Sequence, residues 1–151
     1  MSESPIRVLL VDDNESYRKA FMRNLQFQRF DVREASNADD AIARIHEDQP
    51  DVMVTDLQMR PRTEGLDLIR DAREVAPLMP IIMISGVGTF EEGAVASQLG
   101  AMHVIAKSRI DEEIVRLYAL IRASDAERRR NQRLLDELAN IRGEGAERSP
   151  N

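Results

Sequence analysis

Three acids, a hydroxyl and an ammonium stand directly after four mainly apolar runs. Ile6-Arg-Val-Leu-Leu-Val11 is followed by Asp12-Asp13, and Val52-Met-Val-Thr55 by Asp56. Pro80-Ile-Ile-Met-Ile84 is followed by Ser85, and His103-Val-Ile-Ala106 by Lys107. Three carboxylates brought together repel one another, and a hard divalent cation relieves this. Oxygen donors with no cysteine, and with histidine only at His46 and His103, favour Mg²⁺ over softer metals. Lys107 adds a point charge and Ser85 a hydroxyl donor. Together they suit the oxygens of a phosphoryl group in transfer, a reaction that is mostly positioning and charge stabilisation. The nucleophile on offer is a carboxylate, which gives an aspartyl phosphate. Asp56 is the choice, because it stands alone on the run read as the central strand. Adjacent Asp12 and Asp13 point in different directions and better frame a metal.

The elements that must position these groups are legible from periodicity. The four runs read as strands, Val52–Thr55 buried on both faces. Phe30-Asp-Val-Arg-Glu-Ala35 alternates and reads as a further strand, its charged face suiting a sheet edge. Tyr17, Phe21, Met22 and Leu25 fall at helical spacing over 14–27. Asn37 is placed to cap a helix over 38–46. A helix over 64–75 carries Leu66, Ile69 and Ala72 as its buried stripe, and Thr89-Phe-Glu-Glu92 is a capping box for a helix ending near Gly100. From Ile110 the pattern stays helical to about Arg142, followed by a polar tail over 143–151 that is expected to be disordered. Five strands alternating with five helices predict a doubly wound α/β fold with a parallel (βα)₅ sheet. In the flavodoxin-like order 2-1-3-4-5, strands one and three flank the switch point, so Asp12, Asp13 and Asp56 should meet.

Net charge is −6 over 151 residues, which argues against a broad surface for nucleic acid or anionic membrane; neither partner is expected. No apolar stretch is long enough to span a bilayer. Met-Ser-Glu-Ser-Pro at the start lacks a basic region and an apolar signal segment. With no cysteine there are no disulfides or thiolate metal sites, and a cytoplasmic location is expected.

Over about residues 5–122 the sequence resembles the response-regulator receiver domain of two-component signalling. The resemblance rests on Val-Leu-Leu-Val-Asp12-Asp13-Asn14, Asp51-Val-Met-Val-Thr-Asp56, Ser85-Gly86, Leu99-Gly100-Ala101 and Ile105-Ala-Lys107. It implies that Asp56 accepts phosphate from a histidine kinase or a histidine phosphotransfer protein. It implies that Asp13 and Asp56 bind Mg²⁺ directly, that Asp12 acts through water, and that the Gln58 backbone carbonyl completes the site. Ser85 would move to hydrogen-bond the phosphate, and Lys107 would pair with it. Gln58 and Val87 sit where the family tunes phosphate lifetime, and an apolar Val87 leans towards slow self-hydrolysis.

Three positions depart from the family pattern. Val104 stands where an aromatic usually swings inward as the hydroxyl moves, and valine has one stiff χ1 and little reach. Lys107-Ser108 replaces a Lys-Pro with a cis bond. Cis before a non-proline costs about 2.5–4 kcal/mol, so either that strain is held or the bond is trans and the lysine is placed differently. The loop Met59-Arg-Pro-Arg-Thr-Glu-Gly65 is one residue longer than expected, and Arg60 and Arg62 either reach towards the phosphate or are solvated.

A final helix of 33 residues (110–142) would be ~50 Å long, against a radius of gyration near ~14 Å for a receiver-sized domain. The expected organisation is a receiver over 1–122, a helical extension over 123–142 and the tail. Ile114, Leu117, Ile121, Ser124, Arg128, Asn131, Leu135 and Leu138 fall at heptad spacing with a polar middle, which favours a parallel homodimeric coiled coil. The basic run Glu127-Arg-Arg-Arg-Asn-Gln-Arg133 is shorter than a DNA-binding zipper helix carries. The reading is therefore a phosphoacceptor that signals through this helix, with no enzymatic activity beyond its own phosphorylation and dephosphorylation. The alternatives are a phosphorylation-independent scaffold, and a carboxylate-nucleophile phosphatase, whose second acid is missing at Gln58.

Overall fold

The computed structural model describes residues 4–56, 59, 64–85, 94–95, 97–98, 101, 103–106 and 110–147. Five parallel strands form one sheet: β1 (Arg7–Val11), β2 (Asp31–Ala35), β3 (Val52–Asp56), β4 (Ile81–Ser85) and β5 (His103–Ala106). Their order is β2-β1-β3-β4-β5, as the alternating pattern requires. The helices are α1 (Glu15–Phe27), α2 (Ala38–Glu47), α3 (Glu64–Val75) and the C-terminal helix (Ile110–Glu147). Helical residues also occur at 94–95 and 97–98; the Thr89–Glu92 capping box lies outside the described residues.

Every residue of β3 is buried, which fits a strand with neighbours on both sides and helices on both faces. Side chains alternate between two apolar layers. Leu9, Val11, Met53, Ile81 and Met83 face the core formed with α2 and α3. Val8, Leu10, Val52, Val54, Ile82, Ile84 and Ile105 face Phe21 and Leu25 of α1 and Leu117, Tyr118 and Ile121 of the C-terminal helix. β2 ends the sheet with Asp31 and Arg33 exposed, as expected of an edge. On α3 the buried stripe is Gly65, Leu68, Ile69 and Ala72; Leu66 is only partly buried, and Leu68 takes its place.

Asn14 caps α1, its side-chain oxygen accepting the Tyr17 N–H at 3.0 Å, and Asn37 caps α2 through the Asp40 N–H at 2.8 Å. Between α1 and β2, Arg29 adopts φ 68°, the left-handed turn that ends the helix. Ion pairs then tie α1 to β2. Arg18 Nε lies 3.1 Å from Glu34 Oε2, and Lys19 Nζ bonds the other Glu34 oxygen. The Lys19 ammonium holds the Glu34 carboxyl below the usual range; partial burial opposes this and Arg18 adds to it.

The C-terminal helix docks in two stages. Leu117 and Ile121 are fully buried, so the first half of the expected heptad seam is taken up by the domain's own core and is not available to a partner. Docking beyond Ile121 is polar. Arg128 Nη2 donates to Asp51 Oδ1 at 3.1 Å and to buried Asp125 at 3.0 Å. Asp51 precedes β3 and also accepts the Arg7 backbone N–H at 2.9 Å, so the helix is pinned where β1 and β3 begin. The described side chains from Arg130 to Gly143 are all exposed. The helix passes Arg142 and runs to Glu147. Gly143 and Gly145 each cost only about 1 kcal/mol relative to alanine and remove no backbone donor, so they do not stop it.

A carboxylate with a lowered folded pKa contributes stability that is in place above its ordinary value of 4.5 and is lost as pH falls through the folded value. Glu34→Gln should therefore lower the urea midpoint at neutral pH, and its gap to wild type should close as the solution is acidified below the carboxylate range. A gap that persists in acid would refute the assignment.

Candidate functional site

The acids converge as expected. Val11 pairs with Thr55, so the ends of β1 and β3 are level, and the residues that follow emerge at the same sheet edge. One carboxylate oxygen from each of Asp12, Asp13 and Asp56 lies within 4.8 Å of the others. Asp12 and Asp56 are buried, at 3% and 5% exposure, while Asp13 is exposed. The group thus has two inner carboxylates and one facing solvent.

The surrounding backbone holds this arrangement. The Asp12 N–H donates to the Ala35 carbonyl at 3.2 Å, carrying the β1–β2 pairing one step past the strand. The Asn14 N–H donates to Asp12 Oδ1 at 2.9 Å. Arg18 Nη1 donates to the Asp12 carbonyl at 2.7 Å. The Arg18 N–H donates to the Asn14 carbonyl at 2.9 Å, so the residues after β1 pass straight into the first turn of α1. That places the positive end of the helix dipole beside the acids. Thr55 is fully buried, and its hydroxyl donates to the Asp56 carbonyl at 3.3 Å.

Ser85 is the last residue of β4 and pairs with Ala106, so its backbone lies at the same edge as Asp56, whose partner is Ile84. Val104 lies in β5 opposite Met83. The side chains of Ser85 and Val104 lie outside the described residues, as do Gln58, Arg60, Arg62, Val87, Lys107 and Ser108. Arg18 is the site residue that sequence reasoning missed. The signal was there: it stands three residues before Phe21 and seven before Leu25, on the apolar stripe, and it is buried at 8%.

Oxygen donors alone, two of them on buried residues, form a set suited to a hard divalent cation. The comparisons with known proteins agree with this chemistry. The profile of the response regulator receiver domain matches residues 8–119. The chain belongs to the response regulator receiver family. Response regulator MprA of Mycolicibacterium vanbaalenii is 31% identical over 119 residues, covering 78% of this chain and 51% of that protein. The protein of the same name from Mycobacterium bovis is 30% identical over 123 residues, covering 81% and 53%. The chain thus spans about half the length of these curated relatives. Among solved structures, a response regulator receiver protein from Pseudomonas putida superposes with TM-score 0.70 at 31% identity, covering 78% of this chain and 98% of that one. NtrX from Brucella abortus superposes with TM-score 0.75 at 27% identity over 85% of this chain and 29% of its own. Receivers have an acidic pocket of this kind, and the doubly wound fold is theirs. No helix among the described residues is long and apolar enough to cross a membrane.

An ion that binds the folded receiver and not the unfolded chain stabilises it by mass action. At ten times its Kd, Mg²⁺ should add about 1.4 kcal/mol to the unfolding free energy of the wild type. It should add much less to Asp13→Asn. Equal stabilisation of the two in thermal melts would remove Asp13 from the ion's surroundings.

Proposed function

We propose that this receiver is a phosphoacceptor of a two-component phosphorelay, taking a phosphoryl group from a histidine kinase or a histidine phosphotransfer protein onto Asp56. The carrying observation is the meeting of Asp12, Asp13 and Asp56 at one sheet edge, with Asp56 buried at the end of the central strand. In the transfer, a carboxylate oxygen of Asp56 attacks phosphorus as the nitrogen–phosphorus bond of phosphohistidine breaks. The electron pair returns to the imidazole, which takes up a proton. Hydrolysis of the acyl phosphate later restores Asp56 and releases inorganic phosphate. Asp12, Asp13, Asp56 and the Gln58 carbonyl would hold Mg²⁺, which supplies charge neutralisation for the phosphoryl oxygens. Lys107 pairs with the phosphate, Ser85 hydrogen-bonds it, and Val104, Val87 and Gln58 tune its readout and lifetime. The chain is not otherwise an enzyme.

The readout we propose is self-association of the C-terminal helix. Leu134, Leu138 and Ile141 are 58%, 52% and 63% exposed and follow Asn131 at heptad spacing. With Asn131 and Leu138 at a and Leu134 and Ile141 at d, Glu137 falls at g and Arg142 at e. In a parallel pair, Glu137 of one copy faces Arg142 of the other. The occupant that suits this stripe is therefore a second copy in parallel. This register sets Leu134 in place of Leu135, and it starts at Asn131 because the earlier residues of the seam read along 114–138 are buried in the domain or pinned to it. The competing scaffold reading is favoured only by Val104 and Ser108, which depart from the family's switch residues.

Intact-mass spectrometry after incubation with acetyl phosphate and Mg²⁺ should find one phosphoryl group on the wild type and none on Asp56→Asn. No adduct on a wild type that binds Mg²⁺ would transfer the case to the scaffold. In sedimentation velocity, beryllofluoride with Mg²⁺ should shift the wild type from monomer to dimer and leave Leu138→Arg monomeric. A wild type unchanged by beryllofluoride would sink the helix readout and leave phosphorylation standing.

A further inference from the structure

We propose that Arg18 is the positioning residue of the acidic pocket. Its guanidinium, braced by Glu34, fixes the peptide that joins Asp12 to Asp13 and so sets how the carboxylates meet a divalent cation. The inference rests on reading that pocket as a cation site. The Asp12 carbonyl belongs to the peptide linking the two acids, so a bond to it fixes the plane from which both side chains project. Arg18 Nη1 makes that bond at 2.7 Å, and the Asp12 N–H is held from the other side by the Ala35 carbonyl at 3.2 Å. Two different elements, α1 and β2, thus grip Asp12 along its backbone.

The guanidinium is itself held. Arg18 Nε lies 3.1 Å from Glu34 Oε2, and Lys19 engages the other oxygen of the same carboxylate. A fork is needed to reach a carbonyl with one nitrogen and a carboxylate with another; an ammonium acts as a single point and cannot span both. Packing alone does not account for an arginine here. A leucine at this position would continue the stripe of Phe21 and Leu25, and a buried ion pair adds little over well-packed apolar side chains. What the arginine supplies that leucine cannot is the directional bond to Asp12. Arg18 reaches the cation only through Asp12, in the way that outer hydrogen-bond partners orient metal ligands.

The test is titration with Mn²⁺, with free ion counted by electron paramagnetic resonance, on the full chain and on Arg18→Lys, Arg18→Met and Glu34→Gln. Thermal unfolding without divalent ions is recorded in parallel. Loss of such outer partners typically weakens metal binding about 10- to 100-fold. Both Arg18 variants should raise the Mn²⁺ Kd by roughly that factor, and Glu34→Gln, which keeps the fork but loosens it, by less. Arg18→Lys preserves charge, so its failure to restore binding would separate geometry from electrostatics. If Arg18→Met does not fold, Arg18→Lys and Glu34→Gln still decide. Variants that melt lower but bind Mn²⁺ with wild-type Kd overturn the positioning role and leave the cation site intact. A wild type that takes up no Mn²⁺ overturns the cation reading and this inference with it.

Discussion

Like-charge crowding at one end of the sheet is the constraint on which the rest of the molecule depends. Two carboxylates belong to buried residues and a third stands beside them, all within 4.8 Å. The backbone around such a cluster sets where its carboxylates lie. The fold does this with elements that are otherwise ordinary. Level strand ends bring the acids together, and a capped helix starts directly behind them. A buried guanidinium grips the peptide between Asp12 and Asp13. Oxygen donors set this close together are the kind that a hard divalent ion suits.

β3 carries a charged residue at each end, and the two do different work. Asp56 closes the strand inside the acidic group. Asp51, just before it, anchors Arg128 and the Arg7 backbone. Five strand residues separate these poles by ~16 Å. The surface proposed for self-association therefore leaves the domain from the pole opposite the chemistry. Between the two poles lies the packed layer of Val54, Ile84, Ile105, Leu117 and Ile121, which joins the central strands to the C-terminal helix.

The fold was legible because its signals were local and mutually consistent. Buried runs ended in polar residues, helical stripes lay between them, and Asn37 was a proper cap; Asn14, read as the start of the helix, caps it instead. The acidic group was legible because topology turns three distant strand-end positions into neighbours. What failed to show in the sequence was long-range or against type. Spacing puts Arg18 on the apolar stripe, but its charge is against type there until Glu34 and the Asp12 carbonyl are in view. The heptad spacing from Ile114 to Leu138 was real, but spacing cannot tell a residue that meets its own sheet from one that meets another chain. Leu117 and Ile121 meet the sheet. The glycines near the end were read as a stop, and an exposed helix tolerates them.

The C-terminal helix is one continuous element across the domain boundary, so its rotational phase is inherited from the core. At about 100° per residue, the stripe of Asn131, Leu134, Leu138 and Ile141 lies roughly a third of a turn round from the face that carries Leu117 and Ile121. That angle decides how a second domain would stand relative to the first. One residue inserted between Arg128 and Asn131 would swing the stripe by about 100°, while seven would return it to within about 20°. Whatever is attached beyond this helix would be aimed by counting residues, as on the thread of a screw.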